Sequence, residues 1–254
     1  MILDLEELLV KYNINIDGVA HFGAHLGQEV KTYQKLKFKN IYLFEPQKEI
    51  YDQLSSKNIS YANVHTYNFG LGSSENKVKL HLDTNDGQSS SVLKPLLHLD
   101  MHPDVKFNSF EDIEIKRYDS LNINDVNFLN IDIQGFELEA LRGSEEVLNN
   151  ITCIYTEINR DYVYENCSLV GEIDEYLKNF GFLRVETKWW KGFYIWGDAF
   201  YINTNILKTS RFKIMKAKIF NFIYTKKFYF LFNEFLEMKI RKSIFRFKKK
   251  LKKI

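Results

Sequence analysis

Four side chains of this sequence could carry acid–base chemistry, because each stands at or near the end of an apolar segment. Asp132 ends one such segment, Glu137 follows one helical turn later, and Glu157 ends the next segment along the chain. Carboxyl groups brought together raise one another's pKa, which suits proton abstraction, and their oxygens could also hold a divalent cation. We therefore predict Asp132, Glu137, Glu157 and His21 as catalytic candidates, with the three carboxylates as the ligands of any metal.

Each of these assignments has a plainer alternative. An acid in the first turn of a helix stabilises the helix dipole, which would account for Glu137. Glu157 could form an ion pair with a residue of a neighbouring loop. A histidine at the end of a strand, such as His21, is often only hydrogen-bonded within the core. Both kinds of interpretation stay open from the sequence.

A glycine-rich turn between two apolar segments predicts the site of a nucleotide-type cofactor. Residues 19–22 have the pattern of a strand, and Gly23 and Gly27 allow a sharp turn before a helix. A second strand at 41–44 ends at Glu45, whose carboxylate suits the two hydroxyls of a ribose. Tight packing alone would also explain the glycines. The predicted cofactor contacts are His21, Gly23, His25, Gly27, Glu29, Glu45, Asn68 and Asp132.

The elements that must position these residues alternate between strand and helix. The pattern predicts strands at 16–22, 41–44, 64–68, 78–82, 113–118, 128–133, 151–157, 182–186 and 199–202. It predicts helices at 3–12, 28–37, 46–54, 134–148 and 173–180. Such alternation indicates an α/β fold with a mostly parallel sheet, helices on both faces and ligands at the carboxyl ends of the strands. Residues 84–110 break the pattern, and we predict a long polar loop or lid there.

Several of these stretches together resemble the FkbM family of S-adenosylmethionine-dependent methyltransferases. They are HFGAHLGQE at 21–29, FEP at 44–46, RYDSL at 117–121, NIDIQGFE at 130–137, YTEI at 155–158 and GDAFY at 197–201. The similarity covers residues 16–203, and its most specific part is the 132–137 box. Many relatives carry an aspartate at position 21, where it helps to position the methionine end of the cofactor.

The resemblance implies a fold, a cofactor and a reaction. The fold is the class I methyltransferase (Rossmann-like) fold, a seven-stranded, mostly parallel sheet with an antiparallel last strand. The cofactor is S-adenosyl-L-methionine, with the need for a divalent metal left open. The reaction is O-methylation, commonly of sugar or polyketide hydroxyls, and we expect a sugar, glycan or glycosylated small molecule as acceptor.

Three tryptophans, Trp189, Trp190 and Trp196, cluster beyond the late strands and are candidate substrate contacts. Indole faces suit the apolar face of a sugar ring or an apolar aglycone. The alternative is a hairpin whose aromatic side chains pack on the core.

The charge of the chain is divided unevenly between a body and a tail. The net charge is +2, yet residues 204–254 hold 13 Lys and 3 Arg against two Glu. The tail therefore carries a charge of +14 and residues 1–203 a charge of −12. We predict a methyltransferase domain at 1–203 and a basic amphipathic helical tail at 204–254 that binds an anionic membrane surface. Docking on the acidic body or on a sister subunit of a homo-oligomer, and a disordered extension, are the alternatives.

Other features of the composition bear on location and on competing functions. Two cysteines, and no apolar run of about 18 residues, favour a reduced cytoplasmic protein, held at the inner face of the membrane if the tail binds there. The acidic body disfavours nucleic acid as a partner. A non-catalytic cofactor-binding or assembly protein on the same fold is one alternative function. A nucleotide-dependent oxidoreductase is another. A short-chain reductase would have a Tyr-x-x-x-Lys motif after its fourth strand, whereas the match in this sequence begins at Tyr33, in the helix predicted after the first strand.

Overall fold

The structure, a computed structural model, describes residues 1–190 and 195–208 together with positions 215, 217, 219 and 221. Residues 1–210 form one compact unit, and residues 211–254 are grouped apart from it. The last strand of the first unit ends at Asn203. The domain boundary after residue 203 and the helical tail stay predictions, because nearly all of 204–254 lies outside the described residues.

Up to residue 208, the described residues form ten strands and six α-helices. The strands are β1 (Gly18–Phe22), β2 (Asn40–Phe44), β3 (Val64–Tyr67), β4 (Gly70–Leu71), β5 (Asn76–Asp83), β6 (Phe107–Lys116), β7 (Phe128–Ile131), β8 (Cys153–Asn159), β9 (Phe182–Trp189) and β10 (Trp196–Asn203). The helices are α1 (Leu5–Tyr12), α2 (Val30–Lys35), α3 (Lys48–Asn58), α4 (Leu97–Met101), α5 (Glu137–Arg142) and α6 (Val170–Lys178). None of the helices in this part of the chain has the length and apolar character needed to cross a membrane.

Seven of the strands form one sheet in the order β3-β2-β1-β7-β8-β10-β9. Strand β1 pairs in parallel with both β2 and β7, whereas β10 runs antiparallel to β8 and β9. This confirms the predicted class I methyltransferase sheet with an antiparallel last strand. Strands β1 and β7 are buried along their whole length, which explains their largely apolar sequences. The strand order reverses between them, which is where a sheet of this kind opens a crevice for a ligand.

A second sheet, of order β4-β6-β5, is absent from the sequence prediction. The sequence indicated short strands at 78–82 and 113–118, but β5 has eight residues, β6 has ten, and the two pair antiparallel. The polar stretch 84–110 is therefore only partly a loop, since it contains α4 and the first residues of β6. Most side chains in the first half of β6 are exposed or partly exposed, so its sequence lacks the alternation that identifies a half-buried strand.

Two helices are shorter than predicted. Residues 24–29 form turns after β1, so α2 begins at Val30 and not at residue 28. The helix expected over 134–148 is confined to α5, because the chain turns at Gly143, where a Cβ atom would lie 1.9 Å from the carbonyl oxygen of Gly72. Residues 132–136 form an irregular turn between β7 and α5, and this turn carries Asp132.

Candidate active site

A cavity opens at the carboxyl ends of the central parallel strands. Its volume is about 310 Å³, which is in the range of small-molecule and cofactor sites. Its polar wall contains predicted site residues, namely His21, Gly23, His25, Glu29, Glu45, Asp132 and Glu157. Its apolar wall includes Phe44, Pro46, Leu71, Leu80, Val92, Ile113 and Ile115. The cavity thus joins the ends of the main sheet to the second sheet.

The turn after β1 is held tightly between the neighbouring strands. Gly23 has a φ of +77°, and the N–H groups of Gly23 and Ala24 both donate to the carbonyl oxygen of Phe44 over 3.0 Å. A Cβ atom at position 23 would lie 1.9 Å from the carbonyl oxygen of Asp132. Glycine is therefore required here by backbone packing and by the positive φ angle, and the packing brings the ends of β1, β2 and β7 around one space.

Glu45 directly follows β2, and its side chain binds the backbone of the turn after β1. Its Oε2 accepts the backbone N–H of His25 and its Oε1 accepts that of Gln47, both over 2.9 Å. Burial raises the pKa of this carboxyl to about 7, although the two N–H groups act in the opposite direction. Each oxygen keeps a lone pair for a ligand. A ribose diol, with its base against the apolar wall of the same cavity, therefore fits these residues.

Asp132 and Glu157 lie together in the cavity wall, where both carboxyl groups accept a hydrogen bond from the side-chain amide of Gln134. Glu157 is buried, and burial, with the charges of Asp132 and Glu137 adding to it, raises the pKa of Glu157 well above its ordinary value. Asp132 is exposed. Burial therefore favours the protonated form of Glu157, and Asp132 is the exposed member of the pair.

The side chain of Gln134 fixes this pair of acids. Its Nε2 donates to Asp132 Oδ1 and to Glu157 Oε2, each over 2.8 Å. Its Oε1 accepts from the Tyr164 hydroxyl over 2.8 Å, and its backbone carbonyl accepts from the Ser91 hydroxyl over 2.8 Å. Gln134 adopts a φ of +54°, an unfavourable value that persists where surrounding contacts enforce it. Sequence reasoning missed Gln134, although its place inside the 132–137 box is the signal that would have identified it.

The loop after β5 forms part of the cavity wall through Gly87, Gln88, Ser90, Ser91 and Val92. The carboxylate of Asp83 shapes this loop by accepting the backbone N–H groups of Asn85, Gly87 and Ser89. His25 Nε2 lies 2.7 Å from the carbonyl oxygen of Asp86, and Tyr164 lies 3.0 Å from that of Ser89. The loop therefore contacts the glycine turn through His25, and it contacts Tyr164, which also binds Gln134.

His21 is buried at the end of β1 and lines the cavity. Burial lowers the pKa of its imidazole, and it outweighs Glu29 and Asp132, which act to raise it. The imidazole is consequently neutral at neutral pH. A neutral imidazole can contact a cofactor through either ring nitrogen, so its tautomer decides what it offers to a ligand.

Glu137 does not line the cavity among the described residues; it supports the turn that carries Gln134. It is fully buried, and its Oε1 accepts the backbone N–H groups of Ile133 and Gly135 over 3.3 and 2.9 Å. Burial raises the pKa of its carboxyl to about 7. These contacts give Glu137 a structural role, and a catalytic one stays a prediction.

Two residues predicted to bind the cofactor also lie outside the cavity lining. Asn68 uses its side-chain amide to donate to the carbonyl oxygens of Glu45 and Pro46, over 3.0 and 2.9 Å, and so fixes the end of β2. Gly27 packs against α3, where a Cβ atom would meet Leu54 at 2.8 Å. Both residues therefore contact the segments that carry the site and do not line the cavity themselves.

The three tryptophans lie on the β9–β10 hairpin, and none of them lines this cavity. Trp189 is buried, with the Arg160 guanidinium 3.8 Å from the centre of its ring. Trp190 and Trp196 stack with ring centroids 5.2 Å apart. Residues 191–194 between them lie outside the described residues. A substrate role for the tryptophans therefore stays a prediction.

Within the described ranges, no group of three or more His, Cys, Asp or Glu side chains is arranged to hold a metal ion. The carboxylates predicted as ligands of any metal have other partners. Glu137 binds backbone N–H groups, and Gln134 donates to Asp132 and to Glu157.

Comparison with known proteins agrees with this geometry. Residues 17–184, about two thirds of the chain, match the family model for the methyltransferase FkbM domain. The 2-O-methyltransferase NoeI of Sinorhizobium fredii is 21% identical over 158 residues, with 58% of this chain and 65% of that protein covered. The crystal structure of methyltransferase FkbM from Methylobacillus flagellatus matches with a TM-score of 0.50 and 14% identity, over 74% of this chain and 43% of that one.

This chain therefore spans less than two thirds of each of these two proteins, and the second likeness concerns the fold alone. The residues that match the family model, 17–184, contain the glycine turn, Glu45, the 132–137 box and Glu157. On this evidence the chain belongs to the FkbM family of S-adenosylmethionine-dependent methyltransferases.

Proposed function

We propose that this protein transfers the methyl group of S-adenosylmethionine to a hydroxyl group of a sugar, a glycan or a glycosylated small molecule. The observation that carries the proposal is the pair of Asp132 and Glu157 in the wall of a cofactor-sized cavity. An alcohol is a weak nucleophile until a base takes its proton, and an exposed carboxyl group such as that of Asp132 can be that base. The relative from S. fredii is named a 2-O-methyltransferase, which agrees with a hydroxyl acceptor.

The residues that would hold the cofactor come from the ends of β1 and β2 and from the second sheet. Glu45 would accept the ribose hydroxyls, and the apolar wall that includes Leu71 and Ile113 would take the base. His21 and Glu29 are polar groups of the same wall and would face the amino-acid end. When bound, the cofactor supplies an electrophilic methyl group on a positively charged sulfur.

In the proposed reaction, Asp132 accepts the proton of the attacking hydroxyl. Glu157 keeps its own proton, because burial disfavours its ionised form. Gln134 holds both carboxyl groups in place through its amide, and the loop after β5 forms part of the cavity wall. General-base catalysis of this kind contributes about 10²–10⁴-fold in rate, and positioning of the two reactants supplies most of the remainder.

The wall next to the acid pair favours an uncharged, hydroxyl-rich acceptor. It includes the carboxyl group of Asp198, which is the register partner of Glu157, and the hydroxyl of Tyr155, which donates to Asp198. Carboxylates accept hydrogen bonds from sugar hydroxyls and repel anionic groups. We therefore expect neutral sugars to be preferred to uronic acids.

A panel of acceptors tests this proposal. We expect S-adenosylhomocysteine and an O-methylated product to form with neutral sugars, oligosaccharides or lipid-linked sugars, and the matched uronic acids to react at least about tenfold more slowly. Mass spectrometry of the product identifies the methylated atom. Transfer to nitrogen instead would refute O-methylation, and cofactor binding without turnover on any acceptor would favour a non-catalytic binding protein.

The charge of the tail supports a separate proposal about location. We propose that residues 204–254, with their charge of +14, hold the protein at an anionic membrane surface, since each basic residue near such a surface adds about 1 kcal/mol. Full-length protein should float with anionic vesicles at low salt and be released at high salt, whereas residues 1–210 should not float. Full-length protein that stays in solution would refute this, and a truncated form that changes from dimer to monomer would favour docking between subunits.

A further inference from the structure

Three buried polar side chains form a hydrogen-bonded series that reaches the cavity wall at His21 and Asn130. His21 on β1 and Asn130 on β7 are partners in the sheet register, and Tyr33 of α2 contacts both. Tyr33 is 0% exposed and Asn130 1% exposed. Burying a polar group costs free energy unless the group is hydrogen-bonded. Three hydrogen-bonded polar side chains in the core therefore point to a role at the adjoining cavity.

The hydrogen bonds along this series have a direction. Asn130 Nδ2 donates to the hydroxyl oxygen of Tyr33 over 2.7 Å. The same oxygen lies 3.3 Å from Nδ1 of His21. A phenol has a single proton, and with its oxygen accepting from Asn130 that proton is directed at Nδ1. Nδ1 of His21 is therefore the acceptor of this hydrogen bond.

A neutral imidazole that accepts at Nδ1 carries its proton at Nε2. His21 is neutral because burial lowers its pKa, and its ring lines the cavity. We propose that Tyr33 and Asn130 are positioning residues that hold His21 as the Nε2–H tautomer, which donates a hydrogen bond to an oxygen of the bound cofactor. The inference rests on the cavity being the cofactor site of the proposed function, and it removes His21 from the candidates for the catalytic base.

Nitrogen NMR of the histidine-labelled full-length protein measures the tautomer directly. The His21 signals are assigned among the six histidines by their loss in His21→Gln. We expect a protonated Nε2 and an unprotonated Nδ1 in the wild type, and a shift towards protonated Nδ1 in Tyr33→Phe. Tyr201→Phe is the matched control, because it removes another buried hydroxyl, bonded to Asp174, away from the cavity. A wild-type His21 protonated at Nδ1 would overturn the proposal.

Calorimetry with S-adenosylhomocysteine separates positioning from packing. Loss of one hydrogen bond of ordinary strength should weaken binding by about 5–10-fold in Tyr33→Phe, with no change in Tyr201→Phe. In a His21→Gln background, Tyr33→Phe should have no further effect, because an amide NH₂ group donates without a choice of tautomer. Equal losses in both backgrounds would show that Tyr33 acts through packing and would overturn the proposal.

These two measurements remain decisive under other outcomes. If Tyr33→Phe does not fold, the wild-type nitrogen signals alone decide the tautomer. Neither measurement uses an acceptor substrate, so an acceptor other than a sugar would refute the proposed function and leave this result unaffected. Failure of the wild type to bind S-adenosylhomocysteine would overturn the inference together with the cofactor site.

Discussion

Asp132→Asn is expected to lower kcat for methyl transfer by about 10²–10⁴-fold, the usual contribution of a general base. Asparagine has the size of aspartate, and its amide oxygen can still accept from Gln134, which now donates to Asp132 over 2.8 Å. The amide cannot take a proton from the acceptor hydroxyl. Cofactor affinity should therefore change by less than about threefold. Turnover is measured with the best acceptor of the panel, and affinity is measured by calorimetry with S-adenosylhomocysteine.

Three further variants test whether the effect belongs to Asp132. Glu157→Gln should lower kcat by about tenfold at most, because burial favours the protonated form of Glu157 and the amide keeps a donor at the same place. Glu137→Gln should lower stability more than turnover, since Glu137 binds the backbone of its own turn. Asp52→Asn, at an exposed position of α3 paired with Lys48, is the control for removal of a carboxylate. Near-normal turnover in Asp132→Asn would place the base at a residue other than Asp132.

Much of the site is predictable because it depends on local sequence and one topological rule. Short apolar runs predict the strands, and parallel strands bring their carboxyl ends to one edge of a sheet. His21, Glu45, Asp132 and Glu157 each follow or end such a run, and the structure brings all four to one cavity. Sequence reasoning reached these residues without knowing any contact between them.

The remaining parts of the site depend on contacts between distant segments, which periodicity does not contain. Gln134 joins the acids to Tyr164 and to Ser91, which are 30 and 43 residues away in sequence. Asn68 has a polar type and a strand-end position like those of the cavity residues, yet its amide binds the backbone after β2. Glu137 is a second example. Its partners are the N–H groups of Ile133 and Gly135, which lie in an irregular turn where the sequence predicts the end of a strand and the start of a helix.

Glu45→Ala is expected to weaken binding of S-adenosylhomocysteine by at least about 100-fold. Two hydroxyl donors to one carboxylate contribute about 1.5–3 kcal/mol each, and about 1.4 kcal/mol corresponds to a factor of ten. The alanine variant also loses the acceptor of the His25 and Gln47 N–H groups. Glu45→Gln is the matched variant, since it keeps the size and one oxygen acceptor and should bind with intermediate affinity. Unchanged affinity in Glu45→Ala would remove this residue from the site.

The pH dependence of binding tests whether Glu45 acts as an ionised carboxylate. Its pKa of about 7 in the free protein means that below pH 7 the proton must leave before the carboxylate accepts two hydroxyls. Affinity should therefore rise by up to about tenfold per pH unit from about pH 5.5 and level off above about pH 8. Calorimetry in buffers of different ionisation enthalpy should show a proton released on binding at pH 6, and Glu45→Gln should show none.

The same pKa predicts a stability effect of the opposite sign in the absence of cofactor. Between pH 4.5, the ordinary pKa of a glutamate, and about pH 7, its pKa in the folded protein, the folded protein keeps a proton that the unfolded chain has released. The Glu45 contribution to the free energy of unfolding is therefore complete below pH 4.5 and falls by up to about 1.4 kcal/mol per pH unit as the pH rises to 7. Urea unfolding of wild type and Glu45→Gln across this window measures the difference, which should change in favour of the variant as the pH rises. Parallel pH curves, together with pH-independent binding, would contradict the raised pKa of Glu45 in the free protein.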